Sequence, residues 1–180
     1  MKRTILVLSG SVLLAALIWW SWQSFGRRSP GFVFLLTWLV MTWVGVTGRV
    51  ISISLPSQYY TIKNPERSGR LYERLGVRVA KRLLRRGPLA VFNPTLRLPV
   101  QRNASTLADL DAAMRHAETG HVISLVPGLL FGGYAAMRGW PDAVIWSLIF
   151  NVVVNGYPIM LQRYNRNRLG GLVGPAGWDA

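Results

Sequence analysis

The sequence has no cysteine among its 180 residues, only two histidines and only seven acidic residues. The missing thiols exclude a disulfide framework, a thiolate metal site and a cysteine nucleophile. So few carboxylates and imidazoles leave little material for a metal cluster, and we predict no metal and no bound cofactor. The list of general bases is short for the same reason, and its histidines are His116 and His121.

Positive charge, by contrast, is abundant, and the formal net charge is +14. Such a surplus indicates an anionic partner, either nucleic acid or a phospholipid surface. Hydrophobic residues make up 51% of the chain, which is also ordinary for a soluble domain. Their distribution is more informative, because charged residues are nearly absent from four long windows and crowd between them. This distribution favours phospholipid over nucleic acid.

The four apolar windows are each long enough to cross a bilayer, and they cover residues 4–25, 31–48, 119–137 and 143–162. About 20 helical residues span a hydrocarbon core of about 30 Å. Any single window also fits a buried helix of a soluble protein, but four together argue against that alternative. We therefore predict an all-α, polytopic membrane protein with about four transmembrane helices in a single membrane domain, residues 1–180.

The first window has a second interpretation, a cleaved signal peptide, because Lys2 precedes it. Its long apolar run and the tryptophans near its end favour a retained anchor. The distribution of Lys and Arg sets the orientation: with the N-terminus inside, all basic residues except Arg27, Arg28 and Arg138 are cytoplasmic. We predict a multi-pass protein of the cell (inner) membrane with both termini in the cytoplasm.

The central segment, residues 49–118, is basic and is predicted to be cytoplasmic or interfacial. It begins with an extended stretch, and Pro65 then opens a helix. An apolar stripe recurs every four residues, at Leu71, Leu75, Val79 and Leu83. An arginine stripe adjoins it, at Arg70, Arg74, Arg78, Arg82 and Arg86. The pattern predicts one helix from Arg67 to Arg86, which Gly69 and Gly76 weaken.

Such a helix suits the plane of a membrane, where each arginine gains about 1 kcal/mol from anionic headgroups. The alternatives are anchoring without a ligand, and attraction of an anionic co-substrate such as a thioester of CoA. Turns follow at Gly87-Pro88 and at Phe92-Asn93-Pro94. Thr106 and Asp109 have the spacing of a capping box, and their helix is predicted to run unbroken into the third window.

A polar face marks the start of the third window, where Asp111, Arg115, Glu118 and His121 follow at helical spacing. An ionisable residue at the membrane is a functional-site candidate, and Glu118 is predicted to hold the imidazole of His121 in one tautomer. The alternative is an interfacial pair that only caps the helix. A Glu-x-x-His pair is also found in di-iron bundles, but no other window supplies the further glutamates.

The fourth window carries Asn151, Asn155 and Gln162 on one stripe with Pro158, which is predicted to kink the helix. Buried amides also bond neighbouring helices together, so helix association is the alternative role. Because the third window starts and the fourth ends on the same side, we predict His121 at the depth of Gln162. Asn155 is predicted to lie about 10 Å deeper, and the two groups to meet at the inner interface.

The residues that follow this window resemble a known family. The run Gln162-Arg163-Tyr164-Asn165-Arg166-x-Arg168 is similar to the closing motif of glycosyl-4,4'-diaponeurosporenoate acyltransferases, which complete staphyloxanthin-type carotenoids. Tyr59-Tyr60 after Leu55-Pro56, the stretch from Tyr72 to Val77, and Ala117-Glu118-x-x-His121 agree with the family as well. The resemblance covers roughly residues 50–169.

The resemblance implies transfer of a fatty acyl group from acyl-CoA or an acyl-carrier-protein thioester to a sugar hydroxyl of a membrane glycolipid or glycosylated carotenoid. The chemistry then suggests His121 as the base, oriented by Glu118. Arg163, Arg166 or Asn155 would steady the acyl oxyanion or the donor phosphates. The predicted substrate-binding residues are Asn155, Gln162, Arg163, Tyr164, Asn165, Arg166 and Arg168. The competing hypothesis is a non-catalytic lipid-binding scaffold or accessory subunit.

Overall fold

All regular secondary structure in the described part of the chain is helical. The computed structural model describes residues 2–48, 50–86 and 104–173, and in these ranges it contains no strand. The helices are α1 (Lys2–Phe25), α2 (Pro30–Thr47), α3 (Ser57–Tyr60), α4 (Asn64–Arg67), α5 (Arg70–Arg74), α6 (Val77–Arg86), α7 (Ala104–Met137), α8 (Pro141–Asn151) and α9 (Tyr157–Val173). The all-α prediction is confirmed.

Four helical stretches are long and apolar enough to cross a membrane, as predicted. They are Lys2–Phe25, Pro30–Thr47, Ser105–Met137 and Pro141–Gly170. Each covers one of the four apolar windows, and the last two extend well beyond them. The Ser29 hydroxyl caps the second stretch by accepting the backbone N–H of Phe32. The single membrane domain and the orientation of the termini stay predictions.

The basic segment is broken into short helices, so the prediction of one helix from Arg67 to Arg86 is wrong. Gly69 and Gly76 have φ of 69° and 79°, in the left-handed region that glycine adopts without strain. They separate α4, α5 and α6. Pro65 does open a helix, but α4 is only one turn long. The stretch predicted to be extended contains the turn α3.

Helix α7 confirms the prediction of an unbroken helix into the third window. It begins at Ala104, close to the predicted start at Thr106, and it continues through Pro127 to Met137. The turns predicted at Gly87-Pro88 and Phe92-Asn93-Pro94 lie outside the described residues.

Between α8 and α9 the chain forms a π-helical turn, Val152–Gly156. Pro158 follows this turn at the second position of α9. Proline has no N–H, so the carbonyl of Val154 loses its ordinary helical partner. A wider turn at this point accommodates that loss, and such turns are often found at functional sites. The disruption predicted at Pro158 therefore takes the form of a π-helical turn that holds Asn155.

The residues group into two compact units. The first unit contains residues 1–53 and 119–156. Small residues let its helices approach each other: Gly10 faces the ring of Trp43, and the Ser147 hydroxyl donates to the carbonyl of Gly128 at 2.6 Å. An exposed ion pair joins Arg28 to Asp142 at 3.0 Å.

Of the described residues, the second unit contains 54–86, 104–118 and 157–173. One apolar cluster joins the short helices α5 and α6 to α9, through Tyr72, Val77, Leu161 and Tyr164. Another joins the start of α7 to the end of α9, through Leu107, Leu110, Met114 and Leu169. These clusters hold the carboxyl end of α9 between the basic segment and the first turns of α7.

Candidate active site

His121 lies in the first unit and is hydrogen-bonded to Asn155. The distance from His121 Nδ1 to Asn155 Oδ1 is 3.3 Å. Asn155 Nδ2 donates to Asn151 Oδ1 at 2.8 Å, and Asn151 Nδ2 donates to the carbonyl of Leu125 at 3.0 Å. Asn155 and Asn151 are both buried. We call His121, Asn155, Asn151 and the Leu125 carbonyl the amide chain.

The amide chain selects the tautomer of the neutral imidazole. A backbone carbonyl can only accept, so the Asn151 side chain must turn its N–H groups toward Leu125. Its oxygen then accepts from Asn155, which turns the Asn155 oxygen toward His121. That oxygen accepts the hydrogen bond that Nδ1–H donates, and the neutral imidazole then keeps an unprotonated Nε2. Among the described residues, no group forms a hydrogen bond with this Nε2.

Two features of the sequence place the amides. Gly128 leaves room for Asn151, because a Cβ at position 128 would overlap the Asn151 side-chain amide. The π-helical turn places Asn155 one helical turn beyond Asn151 and in reach of His121. The prediction that Asn155 lies about 10 Å deeper than His121 is therefore wrong. It took the ends of the apolar windows as the helix ends, and both helices extend further.

Glu118, in the second unit, has arginine partners. Its side chain is fully buried, and its two oxygens accept from Arg163 Nη1 at 2.9 Å and from Arg166 Nη1 at 3.1 Å. The Tyr59 hydroxyl is hydrogen-bonded to it as well. A fully buried carboxylate is stable only with such compensation. The group that contacts the His121 imidazole is Asn155, where the sequence suggested Glu118.

Arg163 uses all of its N–H donors. The guanidinium has five, and Nε donates to Glu66 at 3.0 Å while sharing its proton with the Tyr72 hydroxyl. Nη1 donates to Glu118 and to the carbonyl of Tyr59, and Nη2 to Glu66 and to the carbonyl of Thr61. Every N–H therefore has a protein acceptor, and none is left for an oxyanion or a phosphate.

Arg166 continues this arrangement. Its Nε donates to Asp111 at 2.9 Å, and Nη2 donates to the carbonyl of Tyr60 at 2.9 Å. Arg115 bonds the other oxygen of Asp111. Three carboxylates thus face three guanidiniums. We call the six residues Glu66, Asp111, Arg115, Glu118, Arg163 and Arg166 the ionic cluster.

The ionic cluster changes the acidity of its neighbours. Burial alone would raise the pKa of Glu66, but hydrogen bonds from Arg163, Tyr72 and the backbone N–H of Lys63 outweigh it and lower the pKa to about 2. Burial, and then the negative charge of Glu118, raise the pKa of Tyr59 to about 12. Glu66 is therefore ionised and Tyr59 neutral at physiological pH.

The remaining predicted residues have mixed environments. The Tyr164 hydroxyl donates to Glu73 at 2.9 Å, and Asn165 Oδ1 accepts from Lys81 at 2.7 Å. Arg168 lies over the Tyr164 ring, 5.8 Å from its centroid. Gln162 differs: its carbonyl oxygen is buried and has no hydrogen-bond partner among the described residues. A buried acceptor without a donor is costly unless a bound molecule supplies one.

Sequence reasoning missed several partners of the ionic cluster. Glu66 and the carbonyls of residues 59–61 precede the predicted helix and carried no signal of their own. The helical spacing of Asp111 and Glu118 placed them on one face, and this spacing was the signal that could have identified Asp111 as part of the cluster. Helix association was the alternative role for the amides of the fourth window, and Asn151 in addition orients Asn155. No group of three metal-binding side chains occurs within residues 2–48, 50–86 and 104–173.

A family model for glycosyl-4,4'-diaponeurosporenoate acyltransferase matches residues 56–174, which is more than half of the chain. The chain belongs to this family. The matched range includes the whole amide chain and the whole ionic cluster. A search of curated proteins and a search of solved structures each returned no match. The family's name identifies an acyltransferase of carotenoid biosynthesis, as the resemblance in the closing motif had indicated.

Proposed function

We propose that this protein transfers a fatty acyl group from a thioester to a sugar hydroxyl of a glycosylated carotenoid or glycolipid. The observation that carries the proposal is the amide chain, because it gives a membrane-length helix a histidine whose neutral form has a basic Nε2 that bonds none of the described residues. An alcohol needs such a base before it attacks a thioester. The family assignment supplies the reaction class.

The reaction proceeds in two steps. The sugar hydroxyl gives its proton to Nε2 of His121 while its oxygen attacks the thioester carbonyl carbon and forms a tetrahedral adduct. The adduct then collapses, its carbon–sulfur bond breaks, and the leaving thiolate takes the proton from the imidazolium. The products are an ester and a free thiol, and His121 is neutral again. The thioester of CoA or of a carrier protein is a co-substrate, and the scheme needs no other cofactor.

Asn155 is the positioning residue in this scheme. Its oxygen holds the Nδ1 proton and thereby directs Nε2 to the substrate, a role that the sequence had suggested for Glu118. Glu118 and Arg163 instead hold the second unit together. Stabilisation of the oxyanion stays an open role for Asn155, because the donors of Arg163 are all occupied.

Gln162 is the best-supported of the predicted substrate-binding residues. Its buried carbonyl oxygen accepts no hydrogen bond from the described residues, so a hydrogen-bond donor of a bound molecule fits its chemistry. We place the reaction at the cytoplasmic face of the cell membrane, since the positive-inside rule orients the basic segment there. The four membrane-length helices are compatible with that location.

Lipid mass spectrometry of a host with and without the gene tests the proposal. A glycosylated carotenoid or glycolipid should gain one acyl mass only when the gene is present. His121→Ala should reduce that product by about 10²–10⁴-fold, the usual contribution of a general base. The matched control is His116→Ala, because His116 is the only other histidine and is exposed.

Three outcomes can be told apart. Loss of product with His121→Ala but not with His116→Ala supports the proposed base. Near-normal product from a folded His121→Ala variant removes His121 from the mechanism. If no lipid gains an acyl group in a host that supplies glycosylated acceptors, the non-catalytic lipid-binding scaffold becomes the better explanation.

A further inference from the structure

The basic segment presents one face that the family's reaction does not explain. Helices α5 and α6 and the two residues between them expose large apolar side chains, with relative exposures between 41% for Leu71 and 60% for Leu83. Four arginines on the same helices are exposed as well. The apolar members are Leu71, Leu75, Val79 and Leu83, and the basic members are Arg70, Arg74, Arg78 and Arg82. We call these eight residues the basic-apolar face.

The opposite side of the same helices is packed within the second unit. Tyr72 and Val77 are buried against Leu161 and Tyr164 of α9. Lys81 anchors the following turn through its hydrogen bond to Asn165. The orientation of α5 and α6 is therefore fixed by their inner side, and the outward position of the apolar residues is not a result of loose packing.

The electrostatic balance of this face is strongly positive. Between Arg67 and Arg86 the only acidic residue is Glu73, and it already bonds Arg78 and the Tyr164 hydroxyl. Arginines on a face with no free carboxylate of its own need anions from outside the helices. Anionic phospholipid headgroups supply them in a plane, and the acyl chains just below supply the apolar phase that the leucines lack.

We propose that the basic-apolar face lies on an anionic phospholipid surface, with its arginines at the phosphates and its apolar side chains below them. Interfacial helices likewise expose apolar side chains next to exposed cations. A carrier protein would offer the negative charge without the apolar phase, so the four exposed apolar residues favour lipid. The inference rests on the membrane location given under the proposed function.

Single-cysteine labelling tests the proposal directly, because the chain has no cysteine of its own. Val79→Cys and Leu83→Cys are labelled with an environment-sensitive fluorophore and reconstituted in phosphatidylcholine vesicles with or without phosphatidylglycerol. Ser68→Cys is the matched control, since Ser68 is exposed in the same segment but lies outside the face. Flotation with the vesicles first establishes that each variant is membrane-inserted, and its failure would contradict the membrane location instead.

In vesicles that contain phosphatidylglycerol, emission at positions 79 and 83 should shift to shorter wavelength and be quenched by quenchers attached to acyl chains. Position 68 should show neither change. Replacing Arg74 and Arg82 together by glutamine, or raising the salt concentration, should reverse the shift.

Three results would overturn the proposal. Water-like emission at positions 79 and 83 in inserted protein would show that the face does not touch lipid. A shift of equal size in pure phosphatidylcholine would show that the contact with lipid does not require anionic headgroups. A shift that appears only when an acyl carrier protein is added would make the face a protein docking site.

Discussion

The ionic cluster and the amide chain are two buried polar systems, and they compensate the cost of burying polar groups in different ways. The ionic cluster is charged, balances three carboxylates with three guanidiniums and leaves no N–H of Arg163 without an acceptor. The amide chain is neutral, begins at the carbonyl of Leu125 and ends at an imidazole nitrogen that bonds none of the described residues. Arg163 therefore has no donor left, whereas the imidazole keeps an acceptor nitrogen that none of the described residues uses.

This difference separates structural from chemical roles. Arg163, at the centre of the ionic cluster, has no N–H left for a substrate, and the members of the cluster hold their helices in place. A neutral chain with a free basic atom at its end can accept a proton from a bound alcohol. Charge and burial alone would have selected the ionic cluster as the active site, whereas counting donors and acceptors selects His121.

The largest effect should come from opening the ionic cluster. Glu118→Ala leaves Arg163 and Arg166 buried with unpaired N–H groups, and we expect a loss of about 3–5 kcal/mol of unfolding free energy. Thermal unfolding in detergent measures it. The matched control is Asp142→Asn, which breaks the exposed pair with Arg28 and should change the stability far less, because solvent and salt screen that pair. Equal costs in the two variants would contradict a structural role for the cluster.

Glu66→Gln should cost about 1.5–3 kcal/mol at neutral pH, the range for hydrogen bonds to charged groups. The pKa of Glu66 is about 2 in the folded protein against an ordinary value of 4.5, so the unfolded chain takes up the proton first. The stability that Glu66 contributes is therefore complete above pH 4.5 and is lost as the pH falls toward 2.

Thermal unfolding of wild type and Glu66→Gln across this pH range checks the sign. The difference in Tm should be widest above pH 4.5 and should narrow below it. A difference that stays constant down to pH 2 would show that the carboxylate is not held in its ionised form by the cluster.

Gly128→Ala tests whether the amide chain depends on close packing. The new methyl group would overlap the Asn151 amide, and we expect a loss of about 1–3 kcal/mol together with reduced acyl transfer. Gly133→Ala is the matched control on the same helix, because a Cβ there meets nothing within 4 Å. It should stabilise α7 slightly, since alanine is the better helix former. Identical behaviour of the two variants would contradict the packing role of Gly128.

The smallest effect is expected from Asn155→Leu. It removes the hydrogen bond to Asn151 and the hydrogen bond to the imidazole. The latter is worth about 0.5–1.5 kcal/mol, which corresponds to a loss of up to about tenfold in kcat. Because His121 itself is retained, the loss should be smaller than with His121→Ala. A residue that only positions the base lowers kcat and leaves KM nearly unchanged. Steady-state kinetics in detergent would contradict this role if KM rises while kcat is unaffected.

The fold was largely predictable because hydrophobic windows of membrane length are a strong signal. The helices over all four windows and the continuity of α7 follow from that signal. The breaks at Gly69 and Gly76 did not, although both glycines were recognised as weak points. A glycine in a helical pattern is compatible with a helix, and only tertiary packing decides between αR and αL.

The sequence predicted which residues form the candidate site but not which of them contact each other. The sequence selected His121, Asn155, Glu118 and the arginines of the closing motif, yet it paired His121 with Glu118. Glu118 was a reasonable partner because it is one helical turn away from His121. The buried guanidiniums of Arg163 and Arg166 compete for the same carboxylate, and their charge-assisted hydrogen bonds to it are stronger than one from a neutral imidazole. The partner of His121 comes from another helix, and its register depends on a π-helical turn that periodicity does not reveal.

The saturated guanidinium of Arg163 has a consequence for how the family can diverge. Lysine carries the same charge but has only three N–H donors, so it would leave some of the surrounding oxygens without a partner. Position 163 should therefore tolerate lysine only in homologues that have also replaced Glu66 or Glu118. If substitutions at position 163 occur together with substitutions at position 66 or 118 in homologues, the number of N–H donors at position 163 matches the number of acceptors around it throughout the family.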